Sequence, residues 1–353
     1  MADSASIVVI GVGARTPLGF SAAASAAAVR AGISVIQHHP YMVDRFGEPM
    51  KVTRDFAIEP SVLGPSRAVE LGLAPALDAL SARQGARRSE AVSVLLATGE
   101  ERPGQSEGYA AEVYARLQSR LAGEMVMERG GFIAGGHAGG ILALLHARKA
   151  LSQGKARLCL VGGIDSYLEP ETLGWLDENE QLHSEGNIHG FCPGEGAGFC
   201  LLSTLRTARE LGCRPLLELV AVAAAREENR IKTETVCLGE GLGAVFRSLF
   251  DQVNVGTDPV DRIICDMNGE RYRANEYGFA VLRSRRRFRD AADFETPADC
   301  WGDVGAASGP LFVSLVSESV ARGYAKGPLS LIWASSENGS RAAALLRQPE
   351  EAR

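Results

Sequence analysis

The chain has 353 residues, 46% of them hydrophobic, which is enough to bury a sizeable core, as two domains or one large one. A net charge of −6 with no basic half argues against nucleic acid as a partner, and the densest cationic run, Arg283-Ser-Arg-Arg-Arg-Phe-Arg289, is short enough to read as a solvated helix face. Seven cysteines, an odd number with no C-x-x-C pair, argue for buried thiols in a reducing compartment and against a disulfide framework or zinc site.

In chain order, residues 6–10 form an apolar, β-rich run that ends at Gly11-Val-Gly13, and the Ala-rich stretch 22–30 predicts a helix closed by Gly32. Helical spacing marks 65–80 and 107–120, with an apolar strand at 91–97 between them. Residues 139–151 predict a helix that is apolar on nearly all sides and therefore buried, followed by a strand over 158–161. A polar loop, 178–189, leads to Gly194-Glu-Gly-Ala-Gly198 and a strand over 199–203. The rhythm then repeats: strand 216–224, helix 241–252, strand 262–266, a Gly-rich turn 302–309, helix 311–322 and strand 329–334. With 40 glycines, well above the usual level of about 7%, such alternation suits an α/β protein with close backbone packing. No Pro/Ser linker separates the halves, no basic-then-apolar leader opens the chain, and no apolar run approaches about 18 residues. The expectation is a soluble, cytoplasmic protein without membrane contact.

These landmarks resemble β-ketoacyl synthases of the thiolase superfamily. Ile7-Val-Val-Ile-Gly-Val-Gly-Ala-Arg-Thr-Pro-Leu-Gly19 is similar to the family's opening strand, and Arg30-Ala-Gly-Ile-Ser34 to the segment after its first helix. Leu160-Val-Gly-Gly-Ile-Asp165, Gly190-Phe191 with Gly194-Glu-Gly-Ala-Gly-Phe199, and Gly305-Ala-Ala-Ser-Gly309 complete the series in the family's order. The resemblance implies a five-layered αβαβα sandwich of two pseudo-repeated halves, 1–205 and 206–353, usually paired as a dimer. It implies no cofactor and no metal, and as partners an acyl thioester of a carrier protein or CoA, with a second copy or a ketosynthase paralogue.

The family's chemistry rests on a cysteine at the N-terminus of the buried central helix and on two histidines. In register, the cysteine position falls on His137 within Gly135-Gly-His-Ala-Gly-Gly140, and the first histidine on Asn268 of Asn268-Gly-Glu270. The second falls on Gly302 or, one residue on, Asp303, and Pro297 occupies the region of the family's lysine. The closing loop whose phenylalanine gates the acyl pocket reads Ser335-Ser-Glu-Asn-Gly339, which places Glu337 and Asn338 beside that pocket. Positions carrying the fold remain while positions carrying chemistry have changed.

A helix N-terminus disfavours imidazolium, so His137 is expected to be neutral, either filling the slot or acting as a base. Asn268 suits an oxyanion or a buried structural amide. Phe191 and Cys192 lie near the implied acyl pocket, with Cys192 either a displaced nucleophile or, more simply, a small buried hydrophobe. Glu195, Asp266, Glu270 and Asp303 read as solvated turn or cap residues. His183 and His189, with Glu185 between them, do not have a zinc spacing. Three functions remain open: a non-condensing partner that binds an acyl group or carrier, as chain-length factors do; an acyltransferase or thioesterase using His137 with Asn268; or condensation through Cys192. A paired acid or base within reach of His137 favours the second, and a filled apolar pocket opposes it.

Overall fold

Alternation along the strands builds the layers. In the computed structural model, which describes residues 6–83, 90–230, 233, 235–253 and 259–349, the first half comprises β1 (Ile7–Arg15), α1 (Ala22–Arg30), a hairpin of β2 (Gln37–Val43) and β3 (Pro49–Val52), α2 (Gly64–Ser81), β4 (Ala91–Thr98) and α3 (Tyr109–Leu121). It continues with β5 (Val126–Met127), β6 (Gly131–Ala134), α4 (Gly139–Ser152), β7 (Leu158–Ser166), α5 (Pro170–Glu178) and β8 (Glu195–Thr204). The second half runs α6 (Leu205–Leu211), β9 (Leu217–Arg226), α7 (Glu240–Asp251), β10 (Arg262–Cys265), α8 (Arg271–Leu282) and β11 (Phe294–Glu295). It ends with α9 (Ala298–Trp301), α10 (Ser308–Ala321), β12 (Leu329–Ser335) and β13 (Ser340–Arg347).

Successive strand residues face opposite sides. On β1, Val8 and Ile10 pack outward with α2 and α3, while Ile7 and Val9 face a central layer containing α4 and α10. On β12 the same division holds: Ile332 faces α4 and α10, and Leu331 and Trp333 face α7 and α8. Three apolar cores thus separate five layers, with α4 and α10 between two sheets, which is the thiolase-type sandwich. The strand orders match as well: β5-β4-β7-β8-β1 on one side and β11-β10-β12-β13-β9 on the other, joined through a short β1–β9 pairing. α6 belongs by packing to the first half, since Ala208 and Leu211 join its outer core.

Several elements depart from expectation. β1 does not stop at Gly11 but runs to Arg15, because Gly11 and Gly13 are points of contact: a Cβ there would strike the α2 carbonyls of Ala79 and Pro75. β7 runs to Ser166 for the same reason, with Gly163 lying against the Ala306 carbonyl. The helices α5, α6 and α8, the β2–β3 hairpin and β13 were not anticipated. The cationic run is no helix face: Arg285–Arg287 forms a single 3-10 turn, and Arg289 pairs with Asp261 at 2.6 Å. Cys159, Cys200, Cys213, Cys265 and Cys300 are buried, Cys192 and Cys237 half-buried, all as free thiols. No described helix is long and apolar enough to cross a membrane.

Candidate functional site

The two central helices start side by side. A 3-10 turn, Gly136–Ala138, opens α4, and another, Gly305–Ala307, opens α10. Gly140 and Gly309 let the helices touch, since a Cβ on Gly140 would collide with Pro310 and one on Gly309 with Ile141. This contact brings His137, in the first turn, against Asp303, just before the second. His137 Nε2 lies 2.8 and 2.9 Å from the two carboxylate oxygens of Asp303, and both residues are buried.

The pair sits within a buried polar network. Asn268 Nδ2 donates to Asp303 Oδ2 at 2.6 Å and to Glu270 Oε2 at 3.1 Å, which uses both of its amide hydrogens. Arg273, on α8, donates to Asp266 (2.7 Å), Glu270 (3.1 Å) and the Ser335 carbonyl (2.7 Å), and its guanidinium reaches within 3.4 Å of His137 Nε2. The Gly305 N–H donates to Asp303 Oδ1 at 2.8 Å. At the start of α4 the Ala138 N–H is capped by Ser336 Oγ at 2.8 Å.

Burial pushes the His137 imidazole down and Arg273 adds to that, but Asp303 outweighs both and holds it above the ordinary 6.5. The expectation of an imidazole kept neutral by the helix end is therefore corrected: a buried carboxylate at hydrogen-bond distance outweighs a helix terminus worth about 0.3–1 kcal/mol. Burial alone would raise Asp303; the charge and hydrogen bond of His137 hold it well below the usual carboxylate range.

A cavity of about 220 Å³ opens over His137. Glu100, Arg102, Tyr167, Trp175 and Glu337 form its walls. Arg102 pairs with Asp165 and lies over the Tyr167 ring at 4.0 Å, yet its buried Nε has no partner. Glu100 Oε1 accepts the Asn338 N–H at 3.2 Å and packs on Gly136, while Glu337 Oε1 accepts the Gln181 amide at 2.8 Å. His137 Nδ1 has no partner among the described residues.

The structure therefore brings together His137, Asn268 and Asp303, with Glu337 and Asn338 at the rim. It does not bring Phe191 or Cys192 to this cavity. Phe191 is buried in the apolar cluster behind the cavity wall, edge-on to Tyr167 at 5.5 Å. The Cys192 carbonyl accepts the Asp303 N–H at 2.8 Å, but its thiol is not among the cavity walls. Burial pushes that thiol up to about 11, with Asp299 and Lys51 as its charged neighbours. Glu195, Asp266, Glu270 and Asp303 are not solvated caps: all are buried and paired, Glu195 with Arg67 at 2.6 Å. Loss of hydration for a carboxylate requires such partners.

His183, Glu185 and His189 lie on the loop between α5 and β8 and do not converge. Among the described residues, one group of metal-capable side chains converges, Glu227, Cys237 and Glu276. Glu227 is engaged by the N–H groups of Asn229 and Gly241, and Glu276 by Arg341 through Oε1, while its buried Oε2 has no hydrogen-bond partner among the described residues.

The residues missed in sequence are Glu100, Arg102, Asp165, Tyr167, Trp175 and Arg273. The Glu-Glu-Arg triplet at 100–102, directly after the β4 strand end, and the Glu270–Arg273 spacing were the available signals.

Layers, strand order and paired central helices define a thiolase-type fold. Residues 4–208, more than half of the chain, match the family model described as Beta-ketoacyl synthase, N-terminal domain, and the chain belongs to that family. Solved structures of the same fold include a type II PKS acyl-carrier protein in complex with its ketosynthase bound to the hexaketide (AntDE:AntF, apo), at a TM-score of 0.80 and 14% identity, covering 98% of this chain and 99% of that one. The ishigamide ketosynthase/chain length factor gives 0.78 and 17%, covering 98% and 99%. A ketosynthase from module 6 of the bacillaene synthase from Bacillus subtilis 168 gives 0.77 and 16%, covering 98% and 72%. In sequence, 79 residues, 20% of this chain, are 32% identical to polyketide synthase PksN of Bacillus subtilis (strain 168), and they span 1% of that protein's length.

Proposed function

We propose that this chain is a non-condensing member of its family, acting in polyketide- or fatty-acid-type acyl assembly as a chain-length-factor-like or carrier-binding partner of a condensing ketosynthase. One observation supports this reading: His137, which the sequence register aligns with the family's nucleophile, is hydrogen-bonded in the interior to Asp303, and no thiol lines the cavity among the described residues. Condensation in the family needs a thiolate that forms and releases a thioester, and a paired imidazole does neither well. Oxyanion donors are also committed. Both Asn268 N–H groups are spent on carboxylates, and the Ala138 N–H is spent on Ser336. Loss of one such donor typically costs about 10²–10³ in rate.

A second reading has one specific observation in its favour. Asp303 is a paired acid within reach of His137, and the cavity above is open, with charged walls (Glu100, Arg102, Glu337) facing apolar ones (Trp175, Leu176). A His–Asp pair with Nδ1 unpartnered is the arrangement of a general base activating water on an acyl thioester. The first reading is preferred because the surrounding carboxylates oppose the developing oxyanion.

The test is reconstitution with a cysteine-bearing ketosynthase paralogue and its carrier protein. A stable complex and an altered product chain length are expected. Absence of association, with thioester hydrolysis by the isolated chain that His137→Ala abolishes, would replace the first reading by the second.

A further inference from the structure

The cavity over His137 carries charge of the wrong sign for an anionic acyl substrate. Around its floor Arg273 and the His137 imidazole stand against Asp266, Glu270 and Asp303, and the walls add Glu100 and Glu337. Arg102 does not offset this, being matched by Asp165. Neither Glu100 nor Glu337 touches a cation among the described residues; their partners are a backbone N–H and a neutral amide. Burial raises both Glu100 and Glu270, and the charge of Glu337 raises each further, so three carboxylates share one small region. Trp175 supplies aromatic wall, which attracts cations. Arg102 spends Nη2 on Asp165 and the Ser166 carbonyl, and its Nη1 has no acceptor among the described residues.

We infer that this cavity binds a small organic cation, a primary ammonium compound bearing a hydrogen-bond-accepting carbonyl, rather than an acyl chain. The ammonium sits between Glu100 and Glu337 against Trp175, and the carbonyl accepts from Arg102. At 220 Å³ the space holds about seven atoms of water size. This goes beyond the non-condensing role and is tested at equilibrium without turnover, so its failure leaves that role untouched, and failure of the role leaves the binding result standing.

The experiment is titration of the intact chain with four compounds: 4-aminobutanamide, n-butylammonium, pentanamide and pentanoate. Calorimetry gives the affinities, and tryptophan fluorescence locates the site, because Trp301 and Trp333 are fully buried and Trp175 is not. The expected order is 4-aminobutanamide, then n-butylammonium, with the neutral and anionic compounds weaker by about tenfold or more. Glu337→Gln should weaken the amines severalfold, and Glu100→Gln with Glu337→Gln by about tenfold or more, with unchanged melting curves and little effect on pentanamide. Equal binding of pentanamide and 4-aminobutanamide, no binding of either amine, or unaltered amine affinity in both variants would overturn the proposal.

Discussion

Helices α4 and α10 meet at their N-terminal ends in two ways, through glycine in the first helical turns and through charge just ahead of them. In the first turns Gly140 and Gly309 leave no room for a Cβ, and Gly163 of β7 lies close to the Ala306 carbonyl. Ahead of them the contact is His137 to Asp303, supported by Asn268, Arg273, Glu270 and Asp266. The first contact is fixed by absence of side chains and can be made in essentially one way. The second depends on which side chains are present, and the same backbone can hold a thiol and histidines or an ion pair. In this chain the buried helix start is occupied by His137 and Asp303, hydrogen-bonded to each other.

The comparison can be broken most sharply at Arg273. Arg273→Met leaves Asp266 and Glu270 buried without their cation and should cost about 3–5 kcal/mol, read as a lowered denaturation midpoint. On the glycine side, Gly163→Val forces side-chain atoms into the Ala306 backbone and should cost about 3 kcal/mol, with loss of soluble protein as the accompanying sign.

Asp303→Asn should cost about 1.5–3 kcal/mol at neutral pH and flatten the pH dependence of stability. The Asp303 carboxyl is held below its ordinary 3.8, so its contribution is complete above that value and lost as pH falls toward the lowered one. The His137 imidazole is held above its ordinary 6.5, so its contribution is complete below that value and lost as pH rises through the raised one. Thermal melts from pH 2 to 9 should show both limbs in the parent chain, and neither in the variant. Cys192→Ala should have the smallest effect, under about 1 kcal/mol. Alkylation of Cys192 should be slow at neutral pH, since its thiol titrates at about 11.

The same division explains what the sequence disclosed. The glycine motifs were legible because backbone contact permits no other residue, and they carried the register that placed His137. Asn268 and Asp303 followed from that register, although their mutual contacts did not. Helix α8 was not legible because its buried face is partly charged: Arg273 and Glu276 point inward with Tyr277 and Ala280, which removes the apolar periodicity that marks a helix. The central cation of the site was therefore missed, and the carboxylates it holds were taken for solvated caps. Cys192 was placed by sequence proximity to Phe191, but both leave the cavity because the segment from Phe191 to Glu195 turns its backbone, not these side chains, toward Asp303.

The central claim is that the altered helix start no longer handles acyl thioesters. It is tested most directly by incubating the isolated chain with acyl- and malonyl-thioesters of carrier protein and of CoA, and following intact mass, free thiol and carbon dioxide. The account predicts no covalent adduct, no decarboxylation and no thiol release above background from folded protein. An acyl adduct or sustained turnover that disappears in His137→Ala or Cys192→Ala would contradict it and identify the residue that does the chemistry.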